Sequence, residues 1–328
     1  MARLSGFGFV LVLFACAISL LALHSCSDDS VSPTGGPDIQ LEHAGWFWQN
    51  PKPLGNDLRD VCAVDGNNAF ACGSFGAIVR TNDGGETWRF QNSGTSIDLH
   101  SVCFVDARTG WVAGGTYEAT GEKGVLIKTT DAGQTWISQT SYPGLFLREV
   151  FFLNANTGWA VGYRGEIIRT TNGGRTWSRV SGEPSPAQHV FFINPGVGLG
   201  VGASGKIFKT TDGGATWEAR PSPATNNLSS IIFVDDTSGW AVGSRGEVVH
   251  TGDGGETWVL QTSGTPVDFH DVSFADASTG CIAGNGGEIR WTTDGGNTWE
   301  AGVSSGTTED LLGVGLGDGA CGWAVGGE

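Results

Sequence analysis

The sequence predicts an all-β protein, a seven-bladed β-propeller. First, a motif of the form Thr-x-(Asp/Asn)-x-Gly-x-Thr-Trp occurs six times, at successive spacings of 48, 41, 40, 41 and 41 residues. Second, each repeat contains four short runs of β-prone residues between turn residues. Third, the two ends of the chain supply parts of one more repeat. Four-stranded units with a period near 40 residues are typical of propeller blades.

The third repeat shows the elements in order. Its β-prone runs are residues 147–153, 159–162, 166–171 and 177–180, and turn-forming segments rich in Asn, Gly and Thr separate them. A string of the type Gly-Trp-Ala-Val-Gly opens the second run. Because an open stack of such sheets would expose its end faces and strand edges, we expect the repeats to close into a ring.

The chain ends predict how the ring closes. Trp46-Phe47-Trp48-Gln49 matches the outer-strand pattern of the full repeats, and residues 310–314 and 322–326 match the first two strands. Together they predict a seventh blade, incomplete in this chain and closed by the N-terminal strand. A third strand is expected just after Glu328, so the pattern indicates either a truncated sequence or a closing blade that lacks one strand.

The N-terminus has the features of an export signal. Residues 1–26 combine an early Arg3, an apolar run over 7–23 and the ending Leu23-His24-Ser25-Cys26. This ending resembles a bacterial lipoprotein signal, which implies lipidation of Cys26; a plain cleaved signal and an uncleaved anchor are the alternatives. Residues 27–44 are predicted to be a flexible tether and 45–328 the propeller. We therefore expect an exported periplasmic or cell-surface protein, anchored to a membrane by lipid.

Composition excludes several classes of function. The chain carries 18 Lys and Arg against 34 Asp and Glu, a formal net charge of −16, which argues against nucleic-acid binding. Its six His residues are not closely spaced and give no zinc signature. Two glycine-rich strings that fit the dinucleotide fingerprint lie in predicted hairpins with no following helix. No metal and no cofactor are predicted.

The repeated motif resembles the Asp-box, also called the bacterial neuraminidase repeat. Its short carboxylate can accept hydrogen bonds from turn N–H groups, its Gly suits a positive φ, and its Trp can pack under the hairpin. Six equivalent catalytic sites at loop tips are implausible, so we interpret the motif as structural. Its acidic or amide residue and its Trp are, in chain order, Asp83 and Trp88, Asp131 and Trp136, Asn172 and Trp177, Asp212 and Trp217, Asp253 and Trp258, and Asp294 and Trp299.

A second resemblance narrows the function. The strings of the form Gly-Trp-Ala-Val-Gly-x-x-Gly-x-Ile-x-(Arg/Lys)-Thr-Thr-Asp-Gly-Gly, repeated over residues 46–328, are similar to the photosystem II stability/assembly factor family. The resemblance implies a seven-bladed propeller, in some members a lipoprotein, that holds newly made reaction-centre subunits and catalyses no known reaction. It would place the protein on the thylakoid-lumen side if the host is photosynthetic, with a membrane-protein assembly intermediate as partner.

One ring of residues is a candidate partner-binding site. If the innermost strands are aligned on Val61 and its equivalents, the residue two positions earlier in each blade should line the mouth of the central channel. Four of the seven are Arg or His, namely Arg59, His100, Arg148 and His270, and the others are Gln188, Ser229 and Leu312. Arg suits recognition of carboxylates and carbonyls. Solvated loop residues without a ligand are the alternative.

The second repeat contains an insertion over 115–124, which explains its 48-residue spacing. We expect it to project from the same face, bringing Tyr117 beside Arg164 and Arg245 of neighbouring short turns. Long loops on a rigid scaffold often carry function, although tolerated drift would leave the same pattern. A further basic series in the third strands is expected to face solvent; it comprises Arg80, Lys128, Arg169, Lys209 and His250.

The sequence favours a non-catalytic, extracytoplasmic propeller that binds a protein partner. The alternative is an extracytoplasmic glycosidase or a glycan-binding Asp-box propeller. A sialidase is disfavoured, since the Arg-Ile-Pro string is absent and the only tyrosines are Tyr117, Tyr142 and Tyr163. Another glycosidase would need two carboxylates at a suitable separation, and no feature marks such a pair among Glu149, Asp268, Asp271 and Asp310.

Overall fold

A computed structural model describes residues 9–14, 46–49, 57–118, 121–139, 145–180, 187–301, 307–317 and 321–327. This part of the chain is built from β-strands and four single-turn 3-10 segments, Ser74–Gly76, Ala203–Gly205, Ser244–Gly246 and Asn285–Gly287. No helix in it has the length and apolar character needed to cross a membrane. Cys26 and the tether over 27–44 lie outside the described residues, so lipidation stays a prediction.

The strands form four-stranded antiparallel sheets arranged around a channel. The strands next to the channel are β3 (Leu58–Ala63), β7 (Leu99–Phe104), β11 (Leu147–Phe152), β15 (Ala187–Phe192), β19 (Leu228–Phe233), β23 (Phe269–Phe274) and β27 (Leu311–Leu316). The second strands are β4 (Ala69–Gly73), β8 (Gly110–Glu118), β12 (Gly158–Gly162), β16 (Gly198–Gly202), β20 (Gly239–Gly243), β24 (Gly280–Gly284) and β28 (Cys321–Gly326).

The outer half of each sheet is equally regular. The third strands are β5 (Ile78–Thr81), β9 (Gly121–Thr129), β13 (Ile167–Thr170), β17 (Ile207–Thr210), β21 (Glu247–Thr251), β25 (Ile289–Thr292) and β1 (Phe9–Phe14). The edge strands are β6 (Arg89–Gln91), β10 (Ile137–Ser138), β14 (Ser178–Arg179), β18 (Glu218–Arg220), β22 (Val259–Thr262), β26 (Glu300–Ala301) and β2 (Trp46–Gln49).

The molecule is an all-β β-propeller with six complete blades, each folded from one continuous segment, rather than the seven predicted. The blades are numbered 1 to 6 from β3–β6 to β23–β26. The remaining strands form an antiparallel sheet of order β2-β1-β28-β27. We name it the mixed sheet because its strands come from both ends of the chain, since the C-terminal repeat supplies only two. Trp46–Gln49 takes the edge position that its sequence pattern predicts. The third position, for which a strand was expected just after Glu328, is filled by Phe9–Phe14 from the predicted signal segment.

The hydrophobic core is distributed between neighbouring sheets. Between blades 3 and 4, for example, Trp159 and Val161 of β12 pack with Val190 and Phe192 of β15. Five consecutive residues of β12 are buried, since a second strand is covered on both faces, and its sequence is accordingly apolar throughout. A Cβ on Gly158 would lie 2.5 Å from the Phe152 ring. The glycines that precede Trp111, Trp159 and Trp240 therefore leave room for a Phe ring, and Gly322 before Trp323 leaves room for Leu316.

The Asp-box of blade 4 shows the hydrogen bonding within the repeated turn. The Asp212 carboxylate accepts from the Thr216 N–H at 2.8 Å, the Thr216 hydroxyl at 2.6 Å and the Thr210 hydroxyl at 2.8 Å. The hydrogen bonds from Thr216 lower the pKa of Asp212 to about 2. Both carboxylate oxygens are engaged inside the turn, an arrangement that suits a structural role. Asp83, Asp131, Asp253 and Asp294 repeat these bonds, and Asn172 replaces one by donating to Thr176.

The box tryptophans pack inside their own blades. Trp177 lies edge-on to Phe152 with ring centroids 5.8 Å apart, and Trp217 lies edge-on to Phe192 at 5.9 Å. Trp136, Trp258 and Trp299 make the same contact with the Phe of their innermost strands. Trp88 instead lies edge-on to Trp323 of the mixed sheet. Each box therefore connects its exposed turn to the interior of the propeller.

The basic series of the third strands does not simply face solvent, as the sequence analysis expected. Its residues are half-buried. The four Lys and Arg residues reach across to the next blade, whereas His250 packs on Trp240 of its own blade. Arg80 donates to the Ala132 carbonyl at 3.1 Å, and Lys128 to the Gly173 carbonyl at 3.0 Å. The Lys128 ammonium also lies 4.7 Å from the centre of the Trp111 ring. These cations link neighbouring blades through a cation–π contact and a backbone carbonyl, which accounts for their periodicity.

Candidate functional site

The predicted mouth residues occupy a repeated β-bulge. In β3 the pairing with β4 skips from Leu58 to Asp60, so that Arg59 is the extra residue. The same register shift leaves an extra residue in each of the other innermost strands: His100, Arg148, Gln188, Ser229, His270 and Leu312. All seven are half-buried. A bulge re-aims one side chain out of the regular alternation, and this one presents a variable residue at the channel mouth in every sheet.

Arg59 and His100 interact across the boundary between blades 1 and 2. A guanidinium nitrogen of Arg59 lies 3.2 Å from His100 Nδ1, and another donates to Asp98 Oδ2 at 3.1 Å. His100 Nε2 lies 3.3 Å from the Gly115 carbonyl, so Nε2 carries the proton and Nδ1 accepts from Arg59. Burial, followed by the Arg59 charge, lowers the pKa of His100 to about 4. His100 is therefore neutral at pH 7 and orients the arginine.

The insertion in blade 2 extends β8 and β9 into a long hairpin that rests on blade 3. The Gly115 backbone approaches the Phe146 ring so closely that a Cβ there would lie 2.5 Å from it. Opposite Tyr117, towards the far end of the hairpin, Glu122 pairs with Arg164 at 2.7 Å and accepts from the Phe146 N–H at 3.4 Å. These contacts fix the position of the hairpin, although it is an insertion.

An aromatic cluster results from this packing. The Phe146 and Tyr163 rings stack with centroids 5.2 Å apart, and Tyr117 lies 5.1 Å from Phe146 and 5.8 Å from Tyr163. The His100 ring lies 4.9 Å from Phe146, and the Arg148 guanidinium 5.9 Å from the Tyr163 ring. Tyr117 and Tyr163 nevertheless remain 55% and 52% exposed.

A second ring of polar residues lies one position further along each innermost strand, inside the channel. Its members are Asp60, Ser101, Glu149, His189, Ser230 and Asp271, with Gly313 in the mixed sheet, and the first six line a cavity of about 220 Å³. Most of them bridge to the neighbouring innermost strand. Asp60 accepts from the Val102 N–H at 2.7 Å, Glu149 from the Val190 N–H at 3.0 Å, and Asp271 from the Val314 N–H at 2.9 Å.

Burial of these channel groups shifts their protonation equilibria. Burial, with the neighbouring Asp271 charge, raises the pKa of Asp60 to about 7, although its side chain keeps partial contact with the channel. Burial likewise raises the pKa of Glu149 and of Asp271. His189 Nδ1 accepts from the Ile231 N–H at 3.4 Å, so this imidazole is neutral, and burial lowers its pKa to about 3. Neighbouring innermost strands are therefore joined by hydrogen bonds from these polar side chains, and not by hydrogen bonds between their backbones.

The candidate metal ligands and carboxylates of the site were compared with what catalysis would need. Among the residues that the structure describes, no three His, Cys, Asp or Glu side chains come together as ligands for a metal. The carboxylates considered for glycosidic chemistry all accept backbone N–H groups: Glu149 and Asp271 in the channel, Asp268 from Arg245 at 2.7 Å, and Asp310 from Gly286 at 2.9 Å.

Comparison with known proteins relates the chain to one family. Residues 183–311, fewer than half of the 328, match the family model described as Photosynthesis system II assembly factor YCF48. The resemblance to this family is confirmed. A search of curated protein sequences gave no significant match.

Solved structures share the fold. A structure described as YCF48 bound to D1 peptide has a TM-score of 0.67 and 21% identity, covering 83% of this chain and 89% of that one. YCF48 from Cyanidioschyzon merolae has a TM-score of 0.65 and 20% identity, covering 84% and 96%. A GH74 xyloglucanase from Xanthomonas campestris has a TM-score of 0.69 and 12% identity, covering 83% of this chain and 51% of that one. At these identities the likeness concerns the propeller itself.

In this propeller, the predicted site residues separate into two groups. Arg59, His100, Tyr117, Arg148 and Arg164 lie together over blades 1 to 3, joined by the contacts described above. Arg245 and His270 lie over blades 5 and 6, away from the insertion. Arg245 is exposed in a positive-φ conformation with its N–H on Asp268, and His270 contacts the Asn285 side chain. Tyr117 and Arg245 are therefore not neighbours, contrary to the expectation from the sequence.

Sequence reasoning missed three contributors to the site: Asp98, Phe146 and Phe75. Phe75 is 70% exposed, has a φ of 57°, and donates its N–H to Asp98 at 2.9 Å. Asp98 thus holds both Arg59 and the turn that carries Phe75. One signal was available, because the same turn position is Ser204, Arg245 or Gly286 in blades 4 to 6, and an aromatic there departs from the pattern.

The lowered pKa of His100 predicts an effect on stability at acid pH. The unfolded chain takes up the proton near pH 6.5, whereas folded His100 resists it until about pH 4. The contribution of His100 to stability is therefore complete above pH 6.5 and lost as the pH falls to 4. We expect His100→Gln to reduce the loss of unfolding free energy between pH 7 and pH 4.5 by about 1–3 kcal/mol, measured by urea denaturation. An identical loss in both proteins would contradict this assignment.

Proposed function

We propose that the protein is a non-catalytic extracytoplasmic propeller that binds a segment of a protein partner on the face carrying the channel mouth. The observation that carries the proposal is the group of Arg59, His100 and Arg148, each displayed by a bulge beside exposed aromatic side chains. Arg presents a planar fork of donors that suits carboxylates and backbone carbonyls, and aromatic and Arg side chains are enriched at protein interfaces.

The partner follows from the family resemblance. One structurally similar protein is described as bound to D1 peptide, which supports a peptide segment as the ligand class. We propose that this chain likewise holds a membrane-protein assembly intermediate, and that the intermediate is a photosynthetic reaction-centre subunit if the host is photosynthetic. Export through residues 1–26 and lipidation of Cys26 would place the propeller beside such a partner, at the membrane surface. Cleavage before Cys26 would remove β1, but β27 would still contact β23 and β3 and continue the ring of innermost strands.

We further propose that the mixed sheet acts as a seventh blade. Its strand β27 contacts both β23 and β3, so the innermost strands follow one another around the channel without interruption. Two hydrogen bonds from β27 support this arrangement, since the Val314 N–H donates to Asp271 and the Leu316 N–H to Ser273 at 3.0 Å. A closed ring would give the binding face a rigid frame.

The proposed function predicts a loss of binding in one double variant. The chain is purified with its partner from detergent-solubilised membranes of its host, and the partner is identified by mass spectrometry. We expect Arg59→Ala with Arg148→Ala to weaken binding about 100-fold, because two central cations are removed from the contact surface. Arg245→Ala is the matched control, an exposed arginine at the same face that should leave binding unchanged.

Three outcomes would contradict the proposal. Undiminished binding by the double variant would exclude the channel mouth, and failure to recover any protein partner would argue against a binding role in assembly. Retention of glycans on an array, or activity against a panel of glycosides, would favour the glycosidase or lectin alternative.

A further inference from the structure

Phe75 combines a strained backbone conformation with an exposed side chain. A φ of 57° is uncommon for a bulky residue and costs free energy, yet the side chain is 70% exposed and gains little from burial. The equivalent positions in blades 4 to 6 carry Ser204, Arg245 and Gly286, so the turn does not require an aromatic side chain. Fold stability does not explain Phe75.

Exposed aromatics on this face are confined to one side of the channel. Among the described residues, the large exposed apolar side chains at the mouth are Phe75, Tyr117 and Tyr163, in blades 1 to 3. The others, including Phe90 and Leu260, lie on edge strands at the outside of the propeller. Phe75 is connected to the two tyrosines through Asp98, Arg59, His100 and Phe146.

Cations accompany these aromatics. Arg148 lies over Tyr163 and forms no ion pair with any residue in the described part of the chain. Arg59 is paired with Asp98 but keeps 31% of its side chain exposed, and Arg164, paired with Glu122, keeps 70% exposed. Because the charges of Arg59 and Arg164 are balanced by Asp98 and Glu122, Arg148 is the arginine of this surface that offers its charge to an acidic group of a ligand.

We propose that Phe75, Tyr117 and Tyr163 form an off-centre aromatic platform that binds an extended partner segment carrying a large apolar or aromatic side chain next to an acidic residue. The apolar side chain lies on the tyrosines, where an aromatic contact excludes water, and the carboxylate pairs with Arg148. The partner therefore lies over blades 1 to 3 and not on the channel axis. This inference rests on the proposed function and specifies the chemistry of its partner.

The test uses random dodecapeptides displayed on phage and selected on the full-length protein. We expect enriched sequences to contain Phe, Tyr, Trp, Leu or Met beside Asp or Glu. A synthetic enriched peptide is then titrated by fluorescence anisotropy. Tyr117→Ser with Tyr163→Ser should weaken its binding by about tenfold or more, as loss of central aromatic contacts does.

Phe75→Asn separates binding from folding. Asn tolerates a positive φ better than Phe, so this variant should be as stable as the wild type or more stable, while its binding falls about tenfold. The matched controls are Phe90→Ser, an exposed phenylalanine on an edge strand, and Arg245→Ser, at the same turn position in blade 5. Both should bind as the wild type does.

The platform proposal would be contradicted if the selection enriched basic peptides or no peptides at all. It would also be contradicted if the platform variants bound the peptide as tightly as the wild type. The proposed function is tested separately by the Arg59 and Arg148 double variant and the membrane-derived partner. If that variant loses the partner while the platform variants keep it, the platform is wrong and the binding role stands. If no variant affects a recovered partner, the proposed site fails as well.

Discussion

Replacement of Trp159 by Ala is expected to lower the free energy of unfolding by about 3–5 kcal/mol, the range for truncation of a buried aromatic side chain. The Trp159 ring is fully buried in blade 3 and stacks on Phe192 of blade 4 with centroids 3.5 Å apart. Its Nε1 donates to the Gly213 carbonyl at 3.1 Å, and the Arg169 guanidinium lies 5.3 Å from the ring. One side chain thus provides packing and a hydrogen bond between two blades, and a cation–π contact within its own blade.

Chemical denaturation followed by tryptophan fluorescence and by circular dichroism measures this loss. Trp159→Leu is the matched variant, because Leu199 occupies the same position in blade 4; it should cost less than Trp159→Ala by filling part of the cavity. Phe90→Ala, at an exposed site, should change stability by less than about 0.5 kcal/mol. An unchanged midpoint for Trp159→Ala would refute the importance of this contact between blades.

Replacement of Asp271 by Ala is expected to cost about 2–3 kcal/mol and to loosen the junction with the mixed sheet. The Asp271 carboxylate accepts from the Ser230 hydroxyl at 2.7 Å, the Val272 N–H at 2.9 Å and the Val314 N–H at 2.9 Å. Without it, buried donors lose their partner, and each unsatisfied donor costs about 1–3 kcal/mol, an effect that channel water can partly offset.

Hydrogen exchange locates the effect of this substitution. We expect the Val314 amide to exchange faster in Asp271→Ala, since its acceptor is gone, while the Ala324 amide of β28 changes less. Ser230→Ala removes only one donor to the same carboxylate and should cost about 1 kcal/mol. Wild-type exchange at Val314 in the Asp271 variant would show that the bridge does not hold the two sheets together.

Much of the fold could be predicted from the sequence because the same strand pattern and the same Asp-box recur in every repeat. The period of the Asp-box gives the four-stranded unit, and alignment on Val61 and its equivalents finds Arg59, His100 and Arg148 at the mouth. The blade count was less predictable. Closure depends on strands from opposite ends of the chain, and the apolar run of an export signal does not identify Phe9–Phe14 as a strand.

The site could be predicted only in part, since its contacts are between blades. Sequence alignment superimposes repeats but does not show which neighbour a side chain touches. The sequence therefore predicted that Arg80 and Lys128 face solvent, whereas they bridge to the next blade. It also did not predict that Asp60, Glu149 and Asp271 form a ring inside the channel. Phe146 was missed because its role arises from packing against the hairpin that carries Tyr117.

The repeated bulge has a consequence for how such a protein can change its specificity. An ordinary strand residue pairs across the ladder, so altering it disturbs a neighbour, whereas Arg59, His100, Arg148 and their counterparts stand outside the pairing. Substitution of those positions therefore leaves the cross-strand pairing in place, and what it changes are contacts between side chains such as Arg59 and His100. The residues at the channel mouth can thus vary during evolution, and the ligand specificity can change while the fold is retained.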